Sequence, residues 1–357
     1  MTTPPHVFVI LTGVSGNLGD AVIRRRVLEW SRGLGSVHAY VGRTTDGWVE
    51  QLQMRPDETV YRASRRREWL KKLVFGRGRK VLVFDPGEVP LGTEHLKSEL
   101  MFLAIVVAVR LRGGIVFRPP RAVGDYSPLV GAIYRLSSRF SQITLWRDGD
   151  SMSRMRVGVL SPDTAFAEPN SSDPEVARDV LLVSMRGKRA LPADAWFEGI
   201  AAYAREAGLR IVAVSQVDED EERSAEIAAR FGADVADYEA WGDRSDLEQE
   251  RRVRELYKRC AIVVSDRLHV LILSAQAGAV PTELAPTPKA KVRTHFATIG
   301  FDDVSLDTSS ASADDIAAFL RVQGGRAEEL ATKLAAARDD LGQEVRRFRE
   351  LVGARSA

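Results

Sequence analysis

"HVFVILTGVSGNLGDAVIRRRVLEW" (residues 6–30) decides how the rest of the chain is read. Residues 6–13 form a buried-strand pattern, rich in β-branched side chains and ending in glycine. "GNLGD" (16–20) follows, and Val22, Ile23, Val27, Leu28 and Trp30 then recur at helical spacing. Strand, glycine loop and helix in that order predict the opening of an α/β sheet. Outward from it, "SVHAYVG" (36–42), "KVLVFD" (80–85), "GGIVF" (113–117), "QITLWRD" (142–148) and "RVGVLSPD" (156–163) read as further strands. Their alternation with helical patterns predicts a mostly parallel sheet. The longest apolar run, "LMFLAIVVAV" (100–109), is too short to span a bilayer and reads as a buried helix.

A second α/β pattern starts after "AFAEPNSSDPEVAR" (165–178), a Pro-, Ser- and Asn-rich linker. It runs through "DVLLVSMRG" (179–187), a helix over 193–207, "RIVAVSQ" (210–216), helices over 221–231 and 246–259, "AIVVSD" (261–266) and a helix over 268–278. The expected domains are 1–164 and 179–320, joined by the linker at 165–178. A long charged helix closes the chain within 321–357. Two Rossmann-like domains with parallel sheets and a cleft between them resemble the GT-B architecture.

The chain has 357 residues, 45% of them apolar, enough for two cores. Lys and Arg total 51 against 49 Asp and Glu, a net charge of +2 that gives no argument for a nucleic-acid partner. The basic set is 42 Arg and 9 Lys, so a single Arg says little, and a placed Lys or one of the five His says more. Cys260 stands alone, which excludes internal disulfides and Cys-based metal sites, and no His/carboxylate cluster has metal-ligand spacing. No metal and no cofactor are expected. No signal-peptide pattern opens the chain, and a reducing, cytoplasmic setting is the expectation.

Four places carry chemistry. The loop 13–20, with Gly16, Asn17, Gly19 and Asp20, follows a strand and opens a helix, where backbone N–H groups can cradle an anion; the plain alternative is a βα turn with Asp20 as N-cap. Arg147 ends the strand of "LWRDGDSMSR" (145–154), and Arg186 ends that of "VSMRGK" (183–188). Ligands bind at carboxyl ends of strands in open α/β sheets, and Arg forks onto carboxylate or phosphate; the plain alternative is a structural Arg–Asp pair. "SDRLHVLILSAQAGAVP" (265–281) runs a strand into a helix, with Ser265 and Asp266 as caps. Arg267 and His269 lie in its first turn, making an anion site with a titratable donor. A fifth stretch, Arg62 to Lys80, has nine basic residues and one Glu, with Trp69, Leu70, Leu73 and Val74 at helical spacing. It reads as a helix for an anionic membrane surface or, more plainly, as a solvated charged face.

Taken together, these motifs resemble the polysaccharide pyruvyl transferase family. "GNLGDAVI", "WRDGDS", "SPDTAF", "VSMR", "SDRLH…AGAVP" and "KVRTHFATIG" (291–300) occur in the family's order between Gly16 and Gly300. The resemblance implies a GT-B-like fold and transfer of pyruvate from phosphoenolpyruvate to two sugar hydroxyls, forming a cyclic ketal. It puts Arg147, Arg267 and His269 on the donor, with Lys291, or Lys289 in the alternate register. Phosphoenolpyruvate carries a carboxylate and a phosphate, so Arg147, Arg186, Arg267 and Lys291 suit it as cations. His269 is the expected proton donor to the methylene carbon. Asp20 is expected to orient the acceptor or act as base, and His95 is a further acceptor-side candidate. The chain departs from the family in "VFDPGEVPLGTEH" (83–95), with Gly87 alone of a glycine run, and in "VFRPPRAVGDY" (116–126), so an altered acceptor pocket is expected. The resemblance further implies, as acceptor, a sugar of a cell-surface polysaccharide or its lipid-linked precursor, and a place in the cytoplasm or at the inner face of the membrane is the expectation. The rivals are a nucleotide-sugar glycosyltransferase of GT-B type and a non-catalytic glycan-binding member. A nicotinamide-binding protein is set aside, since the dinucleotide fingerprint is missing.

Overall fold

The structure, a computed structural model, describes residues 4–233, 235–288 and 290–354. By internal contacts the chain divides into two units: residues up to Ser15 with Asp20–Ala167 and Asp339 onward, and Gly16–Gly19 with Glu168–Arg338.

The first unit runs β1 (His6–Ile10), α1 (Leu18–Ser31), β2 (Ser36–Gly42), α2 (Asp46–Gln51), β3 (Thr59–Arg62), α3 (Arg66–Phe75), β4 (Lys80–Val83), β5 (Gly87–Leu91), α4 (Leu96–Leu111), β6 (Ile115–Tyr126), α5 (Pro128–Arg139), β7 (Ile143–Trp146), α6 (Gly149–Met155) and β8 (Val159–Leu160). Its sheet has the order β3-β2-β1-β4-β6-β7-β8, with β5 also paired to β6, all parallel. β1 lies mid-sheet, and Val7, Phe8 and Val9 are wholly buried, as a strand covered on both faces must be. β6 changes register between Arg118 and Arg121, where Pro119 and Pro120 have no N–H to offer a ladder. Before the prolines β6 pairs with β4; beyond them it pairs with β5.

The second unit runs β9 (Val180–Ser184), α7 (Asp194–Ala207), β10 (Arg210–Val214), α8 (Glu221–Phe231), β11 (Ala236–Glu239), α9 (Asp246–Lys258), β12 (Cys260–Ser265), α10 (Leu268–Gln276), β13 (Val280–Ala285), α11 (Ala290–Ala297), β14 (Ser305–Asp307), α12 (Ala313–Gly324) and the first part of α13 (Ala327–Ala354), whose residues from Asp339 onward count with the first unit. The sheet order is β11-β10-β9-β12-β13-β14, again parallel. Ser245 and Glu248 form a capping box that starts α9.

Two parallel α/β sheets were expected and are present. Five strands lie outside the sequence reading: β3, β5, β11, β13 and β14 are short, with at most six residues each, and offer little period to detect. Helix starts also differ. α1 begins at Leu18, which places Asp20 inside the first turn and not at the N-cap. α10 begins at Leu268 with Arg267 at the N-cap and no side-chain cap bond, so neither Ser265 nor Asp266 caps it and Arg267 precedes its first turn. In α4, Ile105, Val106 and Val109 are buried but Leu100 and Leu111 face solvent, so the expected buried helix is buried on one side only. The basic stretch is also corrected. Trp69 and Leu73 of α3 pack into the core with Phe8, Leu82 and Val116, so that apolar stripe is not available to a membrane.

Candidate active site

A buried polar cluster of the second unit sits where β9, β10 and β12 end. Parallel strands deliver their following loops to one edge, so residues far apart in sequence meet there. After β12, Ser265 donates its hydroxyl to the Ser184 carbonyl and accepts from the Arg267 N–H at 3.0 Å. That pair turns the chain into α10. Asp266, 3% exposed, faces away from the helix: its Oδ1 accepts from the Arg186 N–H at 2.9 Å, and Arg189 Nε lies 3.0 Å from Oδ2. Arg186 Nε donates to the Asp266 carbonyl at 3.2 Å. Burial pulls the Arg186 guanidinium below its ordinary pKa, against the opposing charge of Asp266.

Arg267 is held from a different loop. Asp220, 1% exposed, receives Arg267 Nε at 2.6 Å and Nη2 at 2.7 Å, and Glu219 receives Nη2 at 3.2 Å. Asp220 Oδ1 also accepts from the Gly187 N–H at 2.8 Å, which ties the loop after β10 to the loop after β9. Burial would lower the Arg267 pKa, but the hydrogen bonds and charge of Asp220, with Glu219 and Asp266 behind, leave it above its ordinary value. Asp220 grips the guanidinium by its Nε–Nη2 edge, a bidentate fork that fixes the plane of the group. None of the described bonds uses Nη1.

The glycine loop reaches the same cluster. Asn17 bridges Val217, the Leu18 N–H donates to the Gln216 carbonyl at 3.2 Å, and the Asp218 N–H donates to Gly16 at 2.9 Å. The loop is thereby stitched to residues 216–218, and the Leu18 N–H is not open to an anion. Gly16 has φ +75°, and a Cβ there would fall 2.2 Å from the Asp218 carboxylate. At Gly19 a Cβ would stand 2.4 Å from His269 Cβ. The glycine lets α1 begin directly against the histidine.

Deeper in the sheet, Glu283 of β13 is fully buried and accepts from Ser305 Oγ at 2.6 Å. Burial raises its pKa, and the neighbouring Asp266 pushes the same way. A cavity of about 320 Å³, lined by Arg189, Ala190, Pro286 and Thr287, opens after β9 and β13, at the small end of the range for small-molecule sites.

Arg186, Arg267, His269, Gly16, Asn17, Gly19 and Lys291 thus belong to the second unit; Lys291 is the second residue of α11. Lys289 lies outside the described residues. Arg147, Asp20 and His95 belong to the first. Arg147, 2% exposed, pairs with the equally buried Asp163 at 2.6 Å. Asp148 caps α6 by accepting from the Ser151 N–H and hydroxyl at 2.7 and 2.8 Å. "WRDGDS" and "SPDTAF" therefore interlock: the Arg of one holds the Asp of the other, as in the structural-pair alternative. Asp20 sits 3.5 Å from Arg24 Nη1, and His95 is near Glu94 at the surface, 3.4 Å away.

The sequence reading missed Asp220 and Glu219, Arg189 and Glu283. The acidic string "VDED" (217–220) directly after a strand was a signal for the first two; a lone Glu inside the apolar "VPTELA" (280–285) was one for the last. In the first unit it also missed the Asp85–Arg121 pair at 3.1 Å. Asp85 lies in 83–95 and Arg121 in 116–126, so the two segments that depart from the family pattern are joined by an ion pair and by the β5–β6 ladder. Glu99 lies beside them, its pKa raised by burial against the charges of Arg121 and Arg118.

The sequence profile of the polysaccharide pyruvyl transferase family matches residues 127–280. No curated protein matches the chain. Solved structures that match over nearly the whole chain include a protein of Listeria monocytogenes designated a UDP-N-acetylglucosamine 2-epimerase (11% identity, 97% of this chain and 96% of that one, TM-score 0.57). Anabaena HepE with UDP and glucose matches at 11% identity over 98% of both chains, with TM-score 0.52. Phytolacca americana UGT2 with UDP-2-fluoro-glucose and pterostilbene matches at 11%, over 95% and 94%, with TM-score 0.54. At such identities the likeness is one of fold, and that fold is GT-B-like.

Proposed function

We propose, from the match of the polysaccharide pyruvyl transferase profile to residues 127–280, that the chain transfers the pyruvyl group of phosphoenolpyruvate to two hydroxyls of a sugar. The observation that carries the reading is the edge after β9, β10 and β12, where Arg186, Arg267 and His269 gather inside the matched span.

Arg267, held in plane by Asp220, offers its remaining edge to one anionic group of the donor, and Arg186 serves the other. His269 gives a proton to the methylene carbon of phosphoenolpyruvate. The first sugar hydroxyl bonds to the adjacent carbon and loses its proton, with Asp20 as the proposed base. The carbon–oxygen bond to phosphate then breaks, the phosphate leaving on a cation, and the second hydroxyl closes the ketal on the same carbon. The donor carbon and the phosphate each end with one of the two hydroxyl protons in the balance. Arg147 serves by holding Asp163. The acceptor is a polysaccharide sugar or its lipid-linked precursor.

Thermal unfolding with phosphoenolpyruvate, pyruvate, phosphate or UDP tests this. A ligand at 100 times its dissociation constant adds about 2.7 kcal/mol. Phosphoenolpyruvate is expected to stabilise the wild type and to fail on Arg267→Ala, each compared with its own ligand-free midpoint. His269→Gln should keep the stabilisation and lose about 10²–10⁴ in turnover. Stabilisation by UDP alone would replace this reading with a glycosyltransferase.

A further inference from the structure

α3, α4 and α5 leave an unusual surface on the first unit. α3 and α4 lie side by side in parallel: Arg66 Nη2 is 3.3 Å from Met101 Sδ near their starts, and the Arg112 guanidinium stands 5.8 Å from the Phe75 ring at their ends. α5 packs on the other side of α4, and both cover the sheet at β6. The faces turned from the sheet therefore share one solvent side. On α4 that side carries Leu100, Ala104 and Leu111; on α5 it carries Leu129, Leu136 and Phe140. Leu111 is 83% exposed, Phe75 72% and Leu129 60%. These are successive turns of two helices, not scattered single residues, and contiguous exposure of this kind marks a binding surface.

The charges say what binds. Over residues 96–113 and 128–140 the one acidic residue is Glu99, which is buried. Lys97, Arg112 and Arg139 rim the apolar stripe, and Arg67 and Lys71 of α3, with Arg77 just past its end, stand exposed along its flank. The single Glu of α3, Glu68, is paired with Arg65 at 2.8 Å. A second copy of this chain would set basic rim against basic rim, which is repulsive. An anionic bilayer takes both parts, with apolar side chains entering the headgroup boundary and cations meeting the lipid charge. We propose that the outward faces of α4 and α5, flanked by basic α3, form a docking surface for an anionic membrane. This does not depend on the reaction proposed above.

The test is co-sedimentation of the full chain with vesicles of phosphatidylcholine alone or containing phosphatidylglycerol. Two variants are compared: Leu111→Glu with Leu136→Glu, and Arg67→Glu with Lys71→Glu and Arg77→Glu. All five positions are exposed, and circular dichroism checks that each variant is folded. The wild type is expected to partition onto the anionic vesicles, and each variant to lose about tenfold or more. Equal binding to both vesicle types, or anionic binding that survives both variants, would overturn the proposal. So would a wild-type dimer in sedimentation equilibrium that Leu111→Glu with Leu136→Glu dissociates, because a second copy would then cover the face.

Discussion

Gly19 and Asp220 show how single atoms set this site. A methyl on Gly19 has no room: it would stand 2.4 Å from His269 Cβ and 3.1 Å from Nδ1. Gly19→Ala is expected to displace the histidine or the start of α1. Overpacking of this kind costs about 1–3 kcal/mol, and moving a catalytic group by an ångström can cost about a hundredfold in rate. Urea unfolding and turnover together check it: a Gly19→Ala enzyme of full activity would mean that the histidine does not need that seat. Asp220 works in the opposite sense, by presence. It is the shared acceptor of Arg267 and the Gly187 N–H, so one carboxylate aligns two loops that carry candidate ligands.

The pairing of β1 with β2 has a consequence for pH. Phe8 and His38 are register partners, and their rings stack at 4.8 Å. His38 Nε2 lies 3.1 Å from His6 Nδ1, and its Nδ1 lies 3.4 Å from the Tyr61 hydroxyl. Burial, then the charges of Lys72, His6 and Lys80, lowers the His38 pKa from 6.5 to about 4. Between those values the unfolded chain takes up a proton that the native strand pair refuses. Stability is therefore expected to fall as pH drops from about 6.5 to about 4, by at most about 3 kcal/mol from this residue. The loss should shrink in His38→Gln. Urea midpoints across that range check it, and a slope unchanged by the substitution would assign the loss elsewhere.

Two sheets in one chain let ligand effects be mapped. The proposed donor groups lie on loops after β9, β10 and β12, so phosphoenolpyruvate should slow amide exchange mainly over residues 184–189, 216–220 and 265–269. Hydrogen exchange read by mass spectrometry checks this. Protection centred instead on 85–99 and 118–126 would move the donor to the Asp85–Arg121 cluster of the first unit.

The strand, glycine-loop and helix pattern of 6–30 determined the fold class by itself, because hydrophobic period and glycine placement are local properties. The Arg267–His269 step at a helix start was legible for the same reason. So was the order of motifs that resembles the family whose profile matches residues 127–280. Tertiary structure alone decided which charges answer which. Arg147 meets Asp163 sixteen residues on, whereas Arg267 meets Asp220 across forty-seven, and no spacing rule reveals either partner. The apolar face of α4 is another such case. Its periodicity is nearly uniform around the helix, so only the packing of β4 and β6 beneath it determined which residues are buried and which remain at the surface.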